Sequence, residues 1–201
     1  MMSRVQRLTV VLVLNLALVA GLVAVGIGAH SLGVLAEGGD YLLDAAGAGL
    51  ALLAIRLSAR GARGGGLGPT GTVALINAGW LLALELIVMG VSIDRLATRT
   101  PAVHGLPVLV ASGIAALVMT AGALVLRADD DGEERDLSVA AVLLDTVADA
   151  AAAAGVAAAG AVILVARGAY WLDPAVALII AVLIGYHAVA LIRTILGRRT
   201  P

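Results

Sequence analysis

Six long apolar runs divide this chain, each near the length needed to cross a bilayer. They cover about residues 8–29, 31–55, 72–91, 106–126, 137–166 and 174–196, against roughly 20 residues for a helical span. Lipid offers no partner to a backbone N–H or C=O, so only α-helices and closed barrels cross it. Runs this long, without period-two alternation, read as helices. Of 201 residues, 61% are hydrophobic and 13% charged. A soluble domain is about 45–50% apolar even with glycine counted. The expected fold is therefore an all-α polytopic membrane protein, with one transmembrane domain of six helices over residues 1–201. The first run follows Arg4 and Arg7 as a signal core would, but it exceeds the roughly 7–15 residues of such a core.

The links between the runs set an orientation. Arg4, Arg7, Arg56, Arg60, Arg63, Arg127, Arg135, Arg193, Arg198 and Arg199 fall on one side. Only Arg95, Arg99 and Arg167 fall on the other. The side richer in arginine faces the cytoplasm, which predicts cytoplasmic N- and C-termini. Tyr170 and Trp171 come at the outer end of the sixth run, where amphipathic rings settle. Residues 56–71 (RLSARGARGGGLGPTG), 92–105 (SIDRLATRTPAVHG), 127–136 (RADDDGEERD) and 167–173 (RGAYWLD) read as the polar connections.

Several chemistries are excluded. Without cysteine there is no disulfide, thiolate ligand or thiol nucleophile. A net charge of -1 gives no basic field for nucleic acid. HExxH and GxSxG do not occur, so a membrane hydrolase finds no support and no enzyme is expected.

The anomaly lies in the second run. SLGVLAEGGDYLLDAAGAG carries Glu37, Asp40 and Asp44 in an otherwise apolar helix. A carboxylate at the bilayer centre costs about 2.5–3.5 kcal/mol on insertion scales. Asp40 and Asp44 are four apart and share one helix face. The fifth run repeats the arrangement with Asp145 and Asp149, in LLDTVADAAAAAG. Both pairs fall near mid-span, on helices of opposite direction, and small residues follow each pair so that the helices can approach closely. Four carboxylates converging in low dielectric repel one another, so they hold either protons or a cation. A dication favours the ionised set and displaces protons. Oxygen-only ligation suits Mn²⁺, Mg²⁺ or Fe²⁺, and Zn²⁺ accepts aspartate oxygens as well.

These motifs resemble the cation diffusion facilitators, six-helix metal/proton antiporters. Their second helix has a pattern like S-L-A-L-L-A-D-A-x-[HD]-x-x-x-D, matched by Ser31, Leu32, Leu35, Ala36, Asp40 and Asp44, with Glu37 in the first acidic position. Their fifth helix has [HD]-x-x-x-D, matched by Asp145 and Asp149. A W-x-D-P motif introducing the sixth helix is matched by Trp171, Asp173 and Pro174, and Asn15 and Asn77 fall where the family carries Asn. The resemblance spans essentially the whole chain. It implies export of a divalent cation (Mn²⁺, Zn²⁺ or Fe²⁺) from the cytoplasm in exchange for protons, with Asp40, Asp44, Asp145 and Asp149 as ligands. The metal would be cargo, with no separate cofactor. The protein would lie in the cell (inner) membrane, in contact with lipid, protons and metal, with homodimerisation through the transmembrane domain left open.

The chain departs from the family pattern in three ways. It stops at Pro201, where relatives continue into a cytoplasmic metal-binding domain, so a short form is expected. Its second connection is rich in Arg and Gly, where relatives often place His or acidic residues. Its site is all aspartate, which resembles the manganese branch more than the zinc branch. Two other readings compete. An organic-cation exporter would want aromatics for cation–π contact, and these make up 2% of the chain. A transport-dead partner subunit is disfavoured by retention of all four aspartates. Glu37 reads equally as a step on the exit path and as an interfacial acid. Glu85 reads as a hydrogen-bonded structural acid more than a proton carrier, and Asp129–Glu134 as a solvated loop. His30, His104 and His187 read as non-ligands, each without a second His at ligand spacing, and Asn15 as a bridge between helices.

Overall fold

The computed structural model describes residues 4–59, 69–128 and 137–197. Within its helices, the side chains of Asn77 and Asp145 lie outside the described residues, as do the whole of Asp129–Glu134 and of Arg60 and Arg63. Six α-helices follow in order: α1 Arg4–Ala29, α2 Leu32–Ala59, α3 Pro69–Ala97, α4 Gly105–Ala128, α5 Leu137–Ala166 and α6 Leu172–Gly197. All six expected helices are present, and several are longer than hydropathy implies. α3 begins at Pro69 and continues through Ser92–Ala97, and α2 reaches Ala59. Hydropathy registers lipid contact, not helix ends. Proline at a first helical position loses no needed hydrogen bond. The segment Ser92–Ala97 contains no helix breaker, so the helix runs out of its apolar stretch until Pro101 draws near.

The helices alternate in direction, and their ends interlock on one side. There α1, α3 and α5 finish and α2, α4 and α6 begin. The turn between α1 and α2 is a Schellman motif, with Ser31 N–H donating to the Gly26 carbonyl at 2.9 Å and His30 N–H to Ile27 at 3.3 Å. His30 takes the left-handed position, with φ of 58°, where glycine is usual. Its carbonyl accepts from Arg95 Nη1 at 2.9 Å, and the Ala29 carbonyl accepts from His104 N–H at 3.2 Å. These bonds tie the ends of α1 and α3 and the approach to α4 together.

α2 is the hub. It packs against α1, α3, α4, α5 and α6, whereas among the described residues α3 touches only α2 and α6. The tightest pairs are α4 with α5, α1 with α2, and α3 with α6. Glycine lets α4 and α5 meet backbone to backbone. A Cβ on Gly160 would lie 2.7 Å from the amide nitrogen of Leu109, and one on Gly105 would lie 2.6 Å from the Gly160 carbonyl. Gly160→Val therefore has to force the two helices apart. It is expected to destabilise the bundle by about 3 kcal/mol, the upper end for overpacking, read as a fall in the midpoint of thermal unfolding in detergent. A midpoint equal to the wild type would contradict this contact.

The exterior is apolar. Ile27 is 65% exposed, Leu117 72% and Val165 82%, and water does not tolerate such continuous surface. The interior, by contrast, holds Asn15, Ser31, Glu37, Glu85, Ser92, Ser112, Asp149 and Asp173, all buried. Polar groups inside and apolar groups outside are the arrangement expected in lipid. α1, α4, α5 and α6 each carry a described stretch long and apolar enough to span a bilayer. α2 is interrupted by its three acids.

Candidate metal centre

Each face of α2 is fitted to a different neighbour. Gly38 lies against Leu22 and Val23 of α1, and Gly39 against Glu85 and Leu84 of α3. Glu37 reaches α4, where Ser112 Oγ donates to its Oε2 at 2.5 Å. Counting 1.5 Å per residue from Leu32, Asp40 and Asp44 sit about 12 and 18 Å into the helix.

Tyr41 stands between them. Its ring is buried, at 1% exposure, and its hydroxyl has no hydrogen-bond partner. That hydroxyl lies within Coulombic reach of Glu37, Asp149, Asp40 and Asp44. Asp149 is on α5 and is itself buried. The helices that carry these acids, α2 and α5, pack against each other. The acids flanking Tyr41 drew attention in the sequence, but Tyr41 did not. The usable signal was its position: one of three tyrosines in the chain, set directly beside Asp40 in an apolar helix.

Of the expected ligands, Asp40 and Asp44 are half-buried and Asp149 is buried. All three make interactions within the protein. Asp145 belongs to α5, with its side chain outside the described residues. Among the described residues no three His, Asp or Glu side chains are gathered closely enough to hold an ion.

Glu37 does not lie at a wet interface. It is buried at 2% exposure, held by Ser112, with Oε1 left unpartnered. Glu85 is buried as expected, at 0% exposure, but it is not hydrogen-bonded: neither carboxyl oxygen has a partner. His30 and His104 are far apart in sequence, yet the structure sets their rings 6.1 Å apart. The two are linked through the ends of α1 and α4, which spacing along the chain could not show.

The Asp173 of the W-x-D-P motif acts far from the acid zone. Its Oδ2 accepts from Leu32 N–H at 2.7 Å and its Oδ1 from Gly33 N–H at 3.1 Å. The Ser31 hydroxyl also donates to Oδ1, while its oxygen accepts from Val34 N–H at 3.1 Å. The first three amides of α2 are thus satisfied by its own N-cap and by a carboxylate from α6. Pro174 follows within the first turn of α6, where no amide is needed.

A model of the cation efflux transmembrane domain matches residues 8–197. The chain belongs to the cation efflux family. No curated protein matches it. As a cation efflux protein it is a membrane transporter of cations, and the family consists of transporters rather than enzymes. In this cation efflux protein, α2 brings its acids to the centre of the bundle, and Asp173 fixes where that helix begins.

Proposed function

We propose that the protein exports a divalent transition-metal cation, Mn²⁺, Zn²⁺ or Fe²⁺, from the cytoplasm in exchange for protons. The ion would be held by Asp40, Asp44, Asp145 and Asp149. The feature that supports this reading is the paired spacing of the aspartates, Asp40 with Asp44 on α2 and Asp145 with Asp149 on α5, two helices that pack against each other. Asp145 precedes Asp149 by one helical turn on α5. Ionised carboxylates so arranged need positive charge between them, and a dication supplies it. When the ion leaves, protons restore neutrality, and exchange follows from that alternation. The all-oxygen donor set favours a hard or borderline ion, Mn²⁺ first among the three. Exporting one dication against one proton moves net charge outward, at about 2.3 kcal/mol per 100 mV; a second proton removes that cost. The arginine distribution supports cytoplasmic termini.

Purified protein in liposomes, with an imposed pH gradient and Mn²⁺, Zn²⁺, Fe²⁺ or Cd²⁺ outside, tests the reading. Uptake of Mn²⁺ into vesicles acidic inside is expected to run several-fold faster than without the gradient. Absence of flux for every ion would overturn it.

A further inference from the structure

Two histidines meet on the side of the bundle where α1 ends and α4 begins. His30 closes the turn after α1 and His104 directly precedes α4. Their ring centres lie 6.1 Å apart, with the planes tilted by 48°. Both side chains are exposed.

The backbone under each ring is held. Ser31 N–H donates to the Gly26 carbonyl and closes the turn around His30, whose own carbonyl accepts from Arg95 Nη1. His104 N–H donates to the carbonyl of Ala29, the residue before His30. One hydrogen bond thus couples the two stretches of chain that carry the rings. His30 also occupies a costly position, with φ of 58°. Left-handed backbone costs an L-residue about 1–2 kcal/mol, and glycine avoids the cost. An imidazole kept there, beside another imidazole, marks a place where the ring itself matters.

Imidazole is a common ligand for borderline dications such as Zn²⁺, Cu²⁺ and Ni²⁺. An ion about 2.0–2.1 Å from one nitrogen of each ring stands about 3 Å from each ring centre. Two rings on one ion then have their centres about 5 Å apart at a tetrahedral angle and about 6 Å apart at a wider one. The pair stands at the upper end of that range. Exposed side chains can turn their nitrogens to a common point without moving the backbone, and water would fill the other positions. Arg95 is directed at the His30 carbonyl, not at the ring. Its charge opposes a dication, so weaker binding is expected than in a closed site of four ligands.

We infer that His30 and His104 form a two-imidazole site for a borderline dication, which staples the α1–α2 turn to the start of α4. The site is independent of the aspartates. With cytoplasmic termini it faces away from the cytoplasm, where an exported ion would meet it.

Cu²⁺ is the first probe, because it binds nitrogen ligands tightly and its EPR spectrum counts them. Untagged protein in detergent with one equivalent of Cu²⁺ is expected to show coupling to two imidazole nitrogens. His104→Gln is expected to leave one nitrogen and to weaken Cu²⁺ binding by at least about tenfold. His30→Asn, chosen because asparagine accepts left-handed backbone, is expected to do the same. Fewer than two nitrogens in the wild type, or two retained in either variant, overturns the inference. Labelling needs no variant. Diethyl pyrocarbonate modifies accessible imidazoles, and Zn²⁺ is expected to protect His30 and His104 together while His187 stays as reactive as before. Labelling of His30 or His104 that Zn²⁺ does not change overturns it as well. Asp149→Asn is expected to keep the two-nitrogen signal, and its loss there would overturn the independence of the site. Absence of cation flux would sink the reading of the aspartates and leave this site standing.

Discussion

Asp149→Asn is expected to lower cation transport by more than about 100-fold while the protein still folds. Even a group that only orients a metal ligand costs 10–100-fold when removed, and Asp149 is proposed as a ligand itself. Asparagine keeps the volume of the buried side chain, so packing around α5 survives. It loses the charge, leaving the proposed site with three carboxylates instead of four. Asparagine also keeps an oxygen that can accept a hydrogen bond, so the structural cost is expected to be modest. Thermal stability without metal is therefore expected to hold, while the stabilisation that Mn²⁺ gives the wild type disappears. Unfolding midpoints with and without Mn²⁺, beside vesicle flux, separate the two effects. Near-wild-type flux in the variant would remove Asp149 from the site.

Asp173→Ala is expected to have the largest effect on stability. The carboxylate accepts from two α2 amides and from the Ser31 hydroxyl, all buried. Alanine strands all three donors, at about 1–3 kcal/mol for each, with partial relief if water enters. A net loss of about 3 kcal/mol or more follows. Asp173→Asn, with one acceptor oxygen, is expected to recover about half of it. Unfolding of purified protein in mixed detergent measures both. A change under about 0.5 kcal/mol for the alanine variant would show that α2 does not depend on this contact. Lost stability would also slow transport, since α2 carries Asp40 and Asp44.

The sequence showed the helix number and order because lipid imposes a length and a composition on each span. It showed less of the ends. Ser92–Ala97 is polar enough to look like a connection, and only the absence of a breaker kept it helical. Asp40, Asp44 and Asp149 stood out because acids in apolar helices are rare. Their neighbours across the bundle could not be found from spacing. The Ser112 bond to Glu37 joins residues on α2 and α4, and no local pattern announces it. Asp173 was visible as part of a motif, but what it binds depends on α6 beginning beside the start of α2. The expectation that Glu85 would be hydrogen-bonded failed because a general rule about buried acids was applied without knowing that Gly39 leaves it a seat.

The pairing of helices also bears on how the chain is made. α1 with α2 and α4 with α5 are neighbours in sequence, so each hairpin can close soon after it leaves the ribosome. α3 has no such partner beside it: its mate is α6, the last of the six to be synthesised. Until α6 arrives, Glu85 and Ser92 rest on a helix with only α2 to cover them. The seam between α3 and α6 is therefore the one that joins the middle of the chain to its last helix.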